Sequence, residues 1–230
     1  MTERPAKQAS ILDGTIADDG INHEQFRWAQ QRRRRDIQRD ARRIAALIAR
    51  FGGEGALLDI GFGVGIGLAC LARGYPGEVT GVDVDPQMVA FAEQEAASLD
   101  NLKTFAADIQ QPLPFSEGSF GVVHSLYTWH HLARPDDAAR EVHRVLRPGG
   151  LFVLGDIDPT NTMTRVFRFG YGILRRLRLG WPIGEAAYRS ILAAPRFERP
   201  LTMLREAGFV VEYAERRRIR RTVVARKAAS

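Results

Sequence analysis

Short apolar segments alternate with longer segments of helical periodicity from residue 56 to residue 155. This alternation predicts βαβ units, in which parallel strands are joined by helices that cover the sheet. The predicted strands span residues 56–60, 78–82, 103–106, 121–125 and 151–156, and the predicted helices span residues 67–73, 86–99 and 135–146. The pattern therefore predicts an α/β fold with a mostly parallel sheet and helices on both faces.

The N-terminal part of the chain has a different pattern. Residues 1–20 lack periodicity and read as a loose arm, whereas apolar residues recur near helical spacing from His23 to Phe51. This spacing predicts one long helix, which Gly52 and Gly53 end. Arg32 to Arg35 fall within that helix, and we interpret the run as a solvated, basic face.

The C-terminal part begins with an interruption of the alternation. Residues 157–200 form an insertion rich in arginine, aromatic residues and glycine. A short helix over residues 201–207 and strands over residues 209–214 and 220–225 follow. Because the two strands are close in sequence, we expect them to form an antiparallel hairpin.

Composition places this 230-residue chain among globular proteins, since 45% of its residues are hydrophobic and 26% are charged. The net charge of +6 conceals a division, because residues 1–50 carry +4, residues 51–159 carry −9 and residues 160–230 carry +11. No apolar run is long enough to cross a bilayer, and the polar N-terminus does not resemble a signal peptide, so we expect a cytoplasmic location. The single cysteine, Cys70, excludes an intrachain disulfide and a cysteine-based zinc site.

A glycine-rich turn follows the first predicted strand. Asp59, Gly61, Gly63 and Gly65 form the pattern D-x-G-x-G-x-G just before a helix. Glycine at alternate positions permits a tight turn and lets a ligand approach the main chain. The pattern differs from the dinucleotide fingerprint G-x-G-x-x-G, which disfavours a nicotinamide oxidoreductase.

Polar residues also follow the next three strands. Asp83 stands eighteen residues after Gly65, at a strand end where a carboxylate can accept hydrogen bonds from two ribose hydroxyls. Asp108 follows the third strand, and the pair His130 and His131 follows the fourth. Asp85, which precedes a proline, is expected to cap the next helix.

These segments together resemble the class I S-adenosylmethionine-dependent methyltransferases. The turn from Asp59 to Gly65 resembles their first motif, and residues 119–132 and 141–150 resemble the ubiquinone-biosynthesis-like small-molecule (type 11) members. The resemblance is close over about residues 56–156 and looser over 201–228. It implies a Rossmann-like fold with a C-terminal antiparallel hairpin and S-adenosyl-L-methionine as the cofactor. Gly121 departs from the family, which usually has aspartate there.

The resemblance implies roles for the motif residues. Asp59 would face the cationic methionine moiety directly or through water, Asp83 the ribose and Asp108 the adenine amino group. The full set of predicted cofactor-binding residues is Asp59, Gly61, Gly63, Gly65, Asp83, Val84, Asp108, Ile109 and Ser125. No cluster of metal-ligating residues has suitable spacing, so no metal is implied.

The expected reaction is an in-line displacement, for which positioning of the acceptor matters most. A histidine could remove a proton from an oxygen or nitrogen acceptor, and we take His131 first and His130 second as candidates. The alternative is that the pair only shapes the cofactor pocket.

The expected organisation is an N-terminal arm and basic helix over residues 1–54 and a methyltransferase domain over residues 55–230. Within that domain, residues 157–200 form the predicted substrate lid, because similar enzymes cover the open pocket with such parts. The apolar and basic residues of this lid are Leu174, Leu177, Leu179, Trp181, Arg165, Arg168, Arg175, Arg176 and Arg178. Such a lid suits a hydrophobic or anionic acceptor and peripheral contact with a membrane. The alternative is a helix pair packed on the sheet with solvated arginines.

The predicted function is methylation of a small organic acceptor that is quinone-like, lipid-like or a secondary metabolite. Two alternatives remain: a nucleic-acid or protein methyltransferase that uses the basic flanks, and a noncatalytic protein that binds the cofactor or a partner. Nucleic acid is the less favoured partner, because charge alone supports only nonspecific affinity. The sequence leaves open the methylated atom and the oligomeric state.

Overall fold

The computed structural model describes residues 23–158, 160, 162–176, 198–217 and 220–229. The predicted arm over residues 1–20 and the lid residues Leu177, Arg178, Leu179 and Trp181 lie outside these ranges. The helices are α1 (His23–Arg32), α2 (Arg34–Arg50), α3 (Ile66–Gly74), α4 (Pro86–Glu95), α5 (Pro135–Val145), α6 (Thr162–Arg176) and α7 (Glu198–Glu206). The strands are β1 (Leu57–Ile60), β2 (Val79–Asp83), β3 (Leu102–Ala106), β4 (Phe120–Leu126), β5 (Leu146–Ile157), β6 (Phe209–Arg217) and β7 (Arg220–Lys227).

The seven strands form one sheet with the order β3-β2-β1-β4-β5-β7-β6. Strands β1 to β5 pair in parallel, and β7 runs antiparallel to both β5 and β6. The predicted Rossmann-like fold and C-terminal hairpin are confirmed. The chain crosses from β3 to β4 on the other side of β1, and ligands of such sheets bind at the carboxyl ends of the strands beside that point.

Helices cover the sheet on both faces because alternate strand residues point in opposite directions. Leu57 and Val122 pack with apolar residues of α2 and α3, such as Ile44 and Leu68. Leu58 and Val123 face the other way and pack with α5 and α7, including Val142 and Leu204. Helix α2, in the basic N-terminal part of the chain, therefore contributes apolar side chains to the core.

The predicted helix over residues 23–51 is wrong in one respect, because it breaks at Arg33. The Arg33 N–H donates to the Gln30 carbonyl at 3.0 Å in a tight turn, and α2 restarts at Arg34. The break lets α1 pack on α4, where the Arg27 guanidinium lies 4.5 Å from the centre of the Phe91 ring.

Two predicted boundaries also differ from the structure. Helix α4 ends at Glu95 rather than Leu99, and the following residues turn toward β3. Strand β5 begins at Leu146 rather than at the predicted residue 151, so it includes the Pro148-Gly149-Gly150 segment. A shift in the register between β4 and β5 near Phe120 and Val122 accommodates the extra residues, as a β-bulge does.

Candidate functional site

The glycine-rich turn lies between β1 and α3 and uses backbone angles that favour glycine. Gly61, Gly63 and Gly65 have φ values of +74°, +56° and +81°. A Cβ atom at Gly61 would lie 2.2 Å from Thr128 Oγ1, and one at Gly65 would lie 2.6 Å from the Ala92 Cα. These two glycines are therefore required by packing.

Gly63 is the open position of the turn. Among the described residues, a Cβ atom added there would have one neighbour within 4 Å, the Phe26 ring of α1 at 3.9 Å. The main chain at Gly63 is consequently the part of the turn that a ligand can approach, and α1 borders that opening.

Asp83 ends β2 beside this turn. Its Oδ2 accepts a hydrogen bond from the Gly63 N–H at 2.9 Å, and its Oδ1 accepts one from the Asp85 N–H at 3.1 Å. Burial raises the pKa of Asp83 from 3.8 to about 6. Each oxygen of the ionised carboxylate keeps a lone pair for a further donor, so the residue suits a pair of hydroxyl groups.

The residues that follow Asp83 secure the next helix. Val84 is partly exposed, and Asp85 accepts a hydrogen bond from the Gln87 N–H at 2.8 Å as the predicted cap of α4. Asp85 also pairs with His23 of α1 at 2.8 Å. The N-terminal helix is thereby fastened beside the strand end that carries Asp83.

Asp108 lies after β3, the strand next to β2. Its Oδ1 accepts from the Gln110 N–H at 2.9 Å, and its side chain is partly exposed. The adjacent Ala107 N–H donates to the Asp83 carbonyl at 2.9 Å, which brings the two acidic positions to the same edge. Ile109 is only 4% exposed and its side chain packs in the core.

Asp59 of β1 and Ser125 of β4 are both buried. Asp59 Oδ1 lies 3.1 Å from Nδ1 of His124, and both side chains are buried. Ser125 is fully buried and donates to the Ile60 carbonyl at 2.9 Å. Asp59 and His124 thus form a side-chain pair between β1 and β4, and the predicted role of Asp59 towards the methionine moiety, directly or through water, stays a prediction. Sequence reasoning missed His124, whose signal was a polar residue inside an apolar strand.

The two predicted histidines lie on a single 3₁₀ turn, Trp129–His131, after β4. His130 Nδ1 lies 2.6 Å from Asp156 Oδ1, and both groups are buried. The His131 ring lies on the His130 ring with centroids 4.0 Å apart, and it is partly exposed. Burial lowers the pKa of His131 to about 4, with the neighbouring His130 as the second cause, so its ring is neutral at pH 7.

A buried arginine completes this cluster. Arg221 of β7 is 1% exposed, and its Nη2 lies 3.7 Å from Asp156 Oδ2. Sequence reasoning missed Arg221, because it appeared only as one of several arginines in a strand. Trp129, at the start of the same 3₁₀ turn, belongs to the core, where its Nε1 contacts Met203 Sδ at 3.4 Å.

Thr128 joins the histidine turn to the glycine-rich turn. Its hydroxyl lies 3.1 Å from the Gly61 carbonyl and 3.3 Å from the Ile60 carbonyl, within hydrogen-bonding distance of each. The partly exposed His131 is therefore held at the same edge of the sheet as Gly63 and Asp83. An open main chain, a carboxylate for hydroxyl groups and a second acidic position at the next strand fit the nucleoside part of S-adenosylmethionine.

Comparisons with known proteins agree with this geometry. A family model described as "Methyltransferase domain" matches residues 58–154. The demethylmenaquinone methyltransferase of Deinococcus radiodurans is 30% identical over 185 residues, which cover 77% of this chain and 77% of that protein. A crystal structure of a SAM dependent methyltransferase from Aquifex aeolicus superposes with a TM-score of 0.68 at 18% identity, covering 90% of this chain and all of that one.

Other relatives are longer than this chain. The sterol 4-C-methyltransferase of Caenorhabditis elegans is 30% identical over 149 residues, which cover 63% of this chain and 44% of that protein. The 2-methyl-6-phytyl-1,4-hydroquinone methyltransferase of Synechocystis is 40% identical over 102 residues, covering 44% and 31%. The chain thus spans less than half of these two relatives. It belongs to the class I S-adenosylmethionine-dependent methyltransferases of type 11, and is an enzyme that uses S-adenosyl-L-methionine as its cofactor.

Proposed function

We propose that the enzyme methylates a small organic acceptor with an apolar body and a hydroxyl group, of the quinone-like or lipid-like kind, by in-line displacement. The observation that carries this proposal is the partly exposed His131 ring. This ring packs at an angle of 42° against the ring of His130, which pairs with Asp156, on a turn that Thr128 fastens to the glycine-rich turn. The names of the relatives support it, since they specify demethylmenaquinone, sterol and phytyl hydroquinone methyltransferases.

The cofactor would be held by the carboxyl edge of β1, β2 and β3. Asp83 would accept hydrogen bonds from the ribose hydroxyls, Asp108 would accept one from the adenine amino group, and the Gly63 main chain would lie against the ligand. Bound S-adenosylmethionine supplies an electrophilic methyl group on a positively charged sulfur. The residues of the chain have to orient the acceptor and receive its proton.

His131 would act on the acceptor hydroxyl. Because its pKa is lowered to about 4, the ring is neutral at pH 7 and can accept a hydrogen bond from that hydroxyl. So weak a base does not ionise a hydroxyl beforehand. It is sufficient once the acceptor has begun to bond the methyl carbon, because the hydroxyl proton then becomes strongly acidic. We therefore assign His131 to hydroxyl orientation and late proton acceptance.

His130 would be a positioning residue. An Nδ1–H on His130 would donate to Asp156 and hold the orientation of the ring, against which the His131 ring packs at an angle of 42°. The buried Arg221 lies on the other side of this pair, with its Nη2 3.7 Å from Asp156 Oδ2.

The proposal is tested by measuring S-adenosylhomocysteine release with a panel of acceptors. The panel contains a hydroquinone with an isoprenoid tail, a sterol, a simple phenol and transfer RNA. We expect turnover with the tailed hydroquinone or the sterol and little with transfer RNA. Turnover with transfer RNA alone, or cofactor binding without turnover on any acceptor, would overturn it.

A further inference from the structure

Helix α6 carries an apolar stripe on its outward side. Val166, Phe169 and Ile173 are 66%, 75% and 46% exposed. Their spacing of three and four residues places them on one face of the helix. Tyr171 lies about half a turn away and is buried, so it marks the inward face. Among the residues that the structure describes, the outward stripe therefore remains exposed.

The charge of α6 is of one sign. The helix contains four arginines and no acidic residue. Successive residues rotate by about 100°, which places the exposed Arg165 and Arg176 on the same flank of the apolar stripe. An apolar stripe with a cationic border matches the profile of a helix that lies in the interface of a membrane.

The position of α6 connects this stripe to the site. The helix begins at Thr162, six residues after Asp156 at the carboxyl end of β5. That edge also carries the histidine turn and the glycine-rich turn. A surface bound to α6 would consequently lie near the edge of the sheet that carries His131.

We propose that Val166, Phe169 and Ile173, with Arg165 and Arg176, form a docking surface for an anionic lipid membrane. The apolar side chains would enter the acyl region while the guanidinium groups contact lipid phosphates. A second copy of the chain is disfavoured as the partner of this surface, because a symmetric contact would bring two positively charged, arginine-rich helices together. Within the described ranges, no helix is long and apolar enough to cross a bilayer.

The test is sedimentation of the full chain with vesicles, which does not depend on the proposed acceptor. The vesicles contain phosphatidylcholine alone or phosphatidylcholine with phosphatidylglycerol. We expect binding to the anionic vesicles at least about tenfold stronger than to the neutral ones and weakened by salt. Phe169→Glu should reduce it by about tenfold or more. The double change Arg165→Gln and Arg176→Gln should reduce it by about fivefold per arginine, as about 1 kcal/mol per charge implies.

Val210→Glu is the matched control, because Val210 is an exposed apolar residue of β6 with 57% exposure. It should retain vesicle binding, and all variants should bind S-adenosylhomocysteine as the parent protein does. The proposal is wrong if the parent protein does not bind anionic vesicles, or if Val210→Glu reduces vesicle binding as much as Phe169→Glu does. A dimer seen by light scattering and lost in Phe169→Glu would assign the stripe to a second copy and also overturn it.

Discussion

The Gly63 N–H donates a 2.9 Å hydrogen bond to Oδ2 of Asp83. This bond joins the turn after β1 to the end of β2, two elements that the chain separates by a complete helix. The left-handed angle of Gly63, with φ of +56°, is part of the local geometry that allows the contact. The open main chain and the carboxylate therefore form one preorganised surface.

The first prediction concerns the pH dependence of cofactor binding. Because the pKa of Asp83 is raised to about 6, its carboxyl group becomes protonated below that pH and offers fewer acceptor sites. We expect the Kd for S-adenosylhomocysteine to rise as pH falls from 7 to 5, approaching tenfold per pH unit. Calorimetric titration across this range measures the effect.

Two variants control the pH experiment. Asp83→Asn should bind at least about tenfold more weakly at pH 7 and lose the pH dependence, whereas Asp100→Asn, at an exposed position, should behave as the parent. The free energy of unfolding should depend on pH with the opposite sign to the affinity for S-adenosylhomocysteine. Since the folded-state pKa is raised from 3.8 to about 6, the contribution of Asp83 to the unfolding free energy falls as pH rises between these values. A parent Kd that stays constant from pH 7 to 5 contradicts the ribose role.

The second prediction separates binding from turnover at His131. His131→Ala should lower kcat by about a hundredfold or more, the usual contribution of a proton-transfer group, and change the Kd for S-adenosylhomocysteine by less than about twofold. His143→Ala should keep kcat, because His143 lies on α5 and packs its ring on Phe209 at 5.1 Å. Equal kcat values for His131→Ala and the parent protein would contradict the proposed role of His131 as the proton acceptor.

The third prediction concerns the glycine-rich turn. Gly65→Ala combines a left-handed backbone, which costs an alanine about 1–2 kcal/mol, with a contact of 2.6 Å to the Ala92 Cα. We expect the unfolding free energy to fall by more than about 2 kcal/mol in urea titrations. Gly67→Ala lies in α3, where the new Cβ would meet Ile37 at an ordinary 3.6 Å, and it should raise stability by about 0.5–1 kcal/mol. A Gly65→Ala protein as stable as Gly67→Ala would refute this account of the turn.

The fourth prediction concerns the buried charges beside the histidine turn. Asp156→Ala leaves the Arg221 guanidinium buried without the carboxylate 3.7 Å away, and we expect a loss of about 3–5 kcal/mol in unfolding free energy. Asp36→Ala removes a 2.8 Å pair with Arg39 that lies in solvent, and it should change stability by no more than about 0.5 kcal/mol. Chemical denaturation of both variants measures the two losses of unfolding free energy. Similar losses would show that the buried Asp156–Arg221 pair contributes no more to stability than an exposed pair does.

Much of the site could be predicted from the sequence because its signals are local. Short apolar segments alternating with helical segments predicted a mostly parallel α/β sheet, and alternate glycines after an apolar strand predicted the turn. A carboxylate at the end of the next strand predicted the place of Asp83. These inferences depend only on neighbouring residues and on the rule that parallel strands present their carboxyl ends at one edge.

The tertiary structure decided the partners of the buried polar groups. Asp59 pairs with His124 because the β1–β4 register places these two residues, 65 positions apart in the chain, opposite each other. Arg221 reaches Asp156 through the antiparallel β5–β7 register, and Arg33 breaks the N-terminal helix so that α1 can pack on α4. Local sequence patterns determine which helices and strands form. A buried polar group has no water to bond, so it needs a partner within the protein. Strand register and packing determine which partner that is.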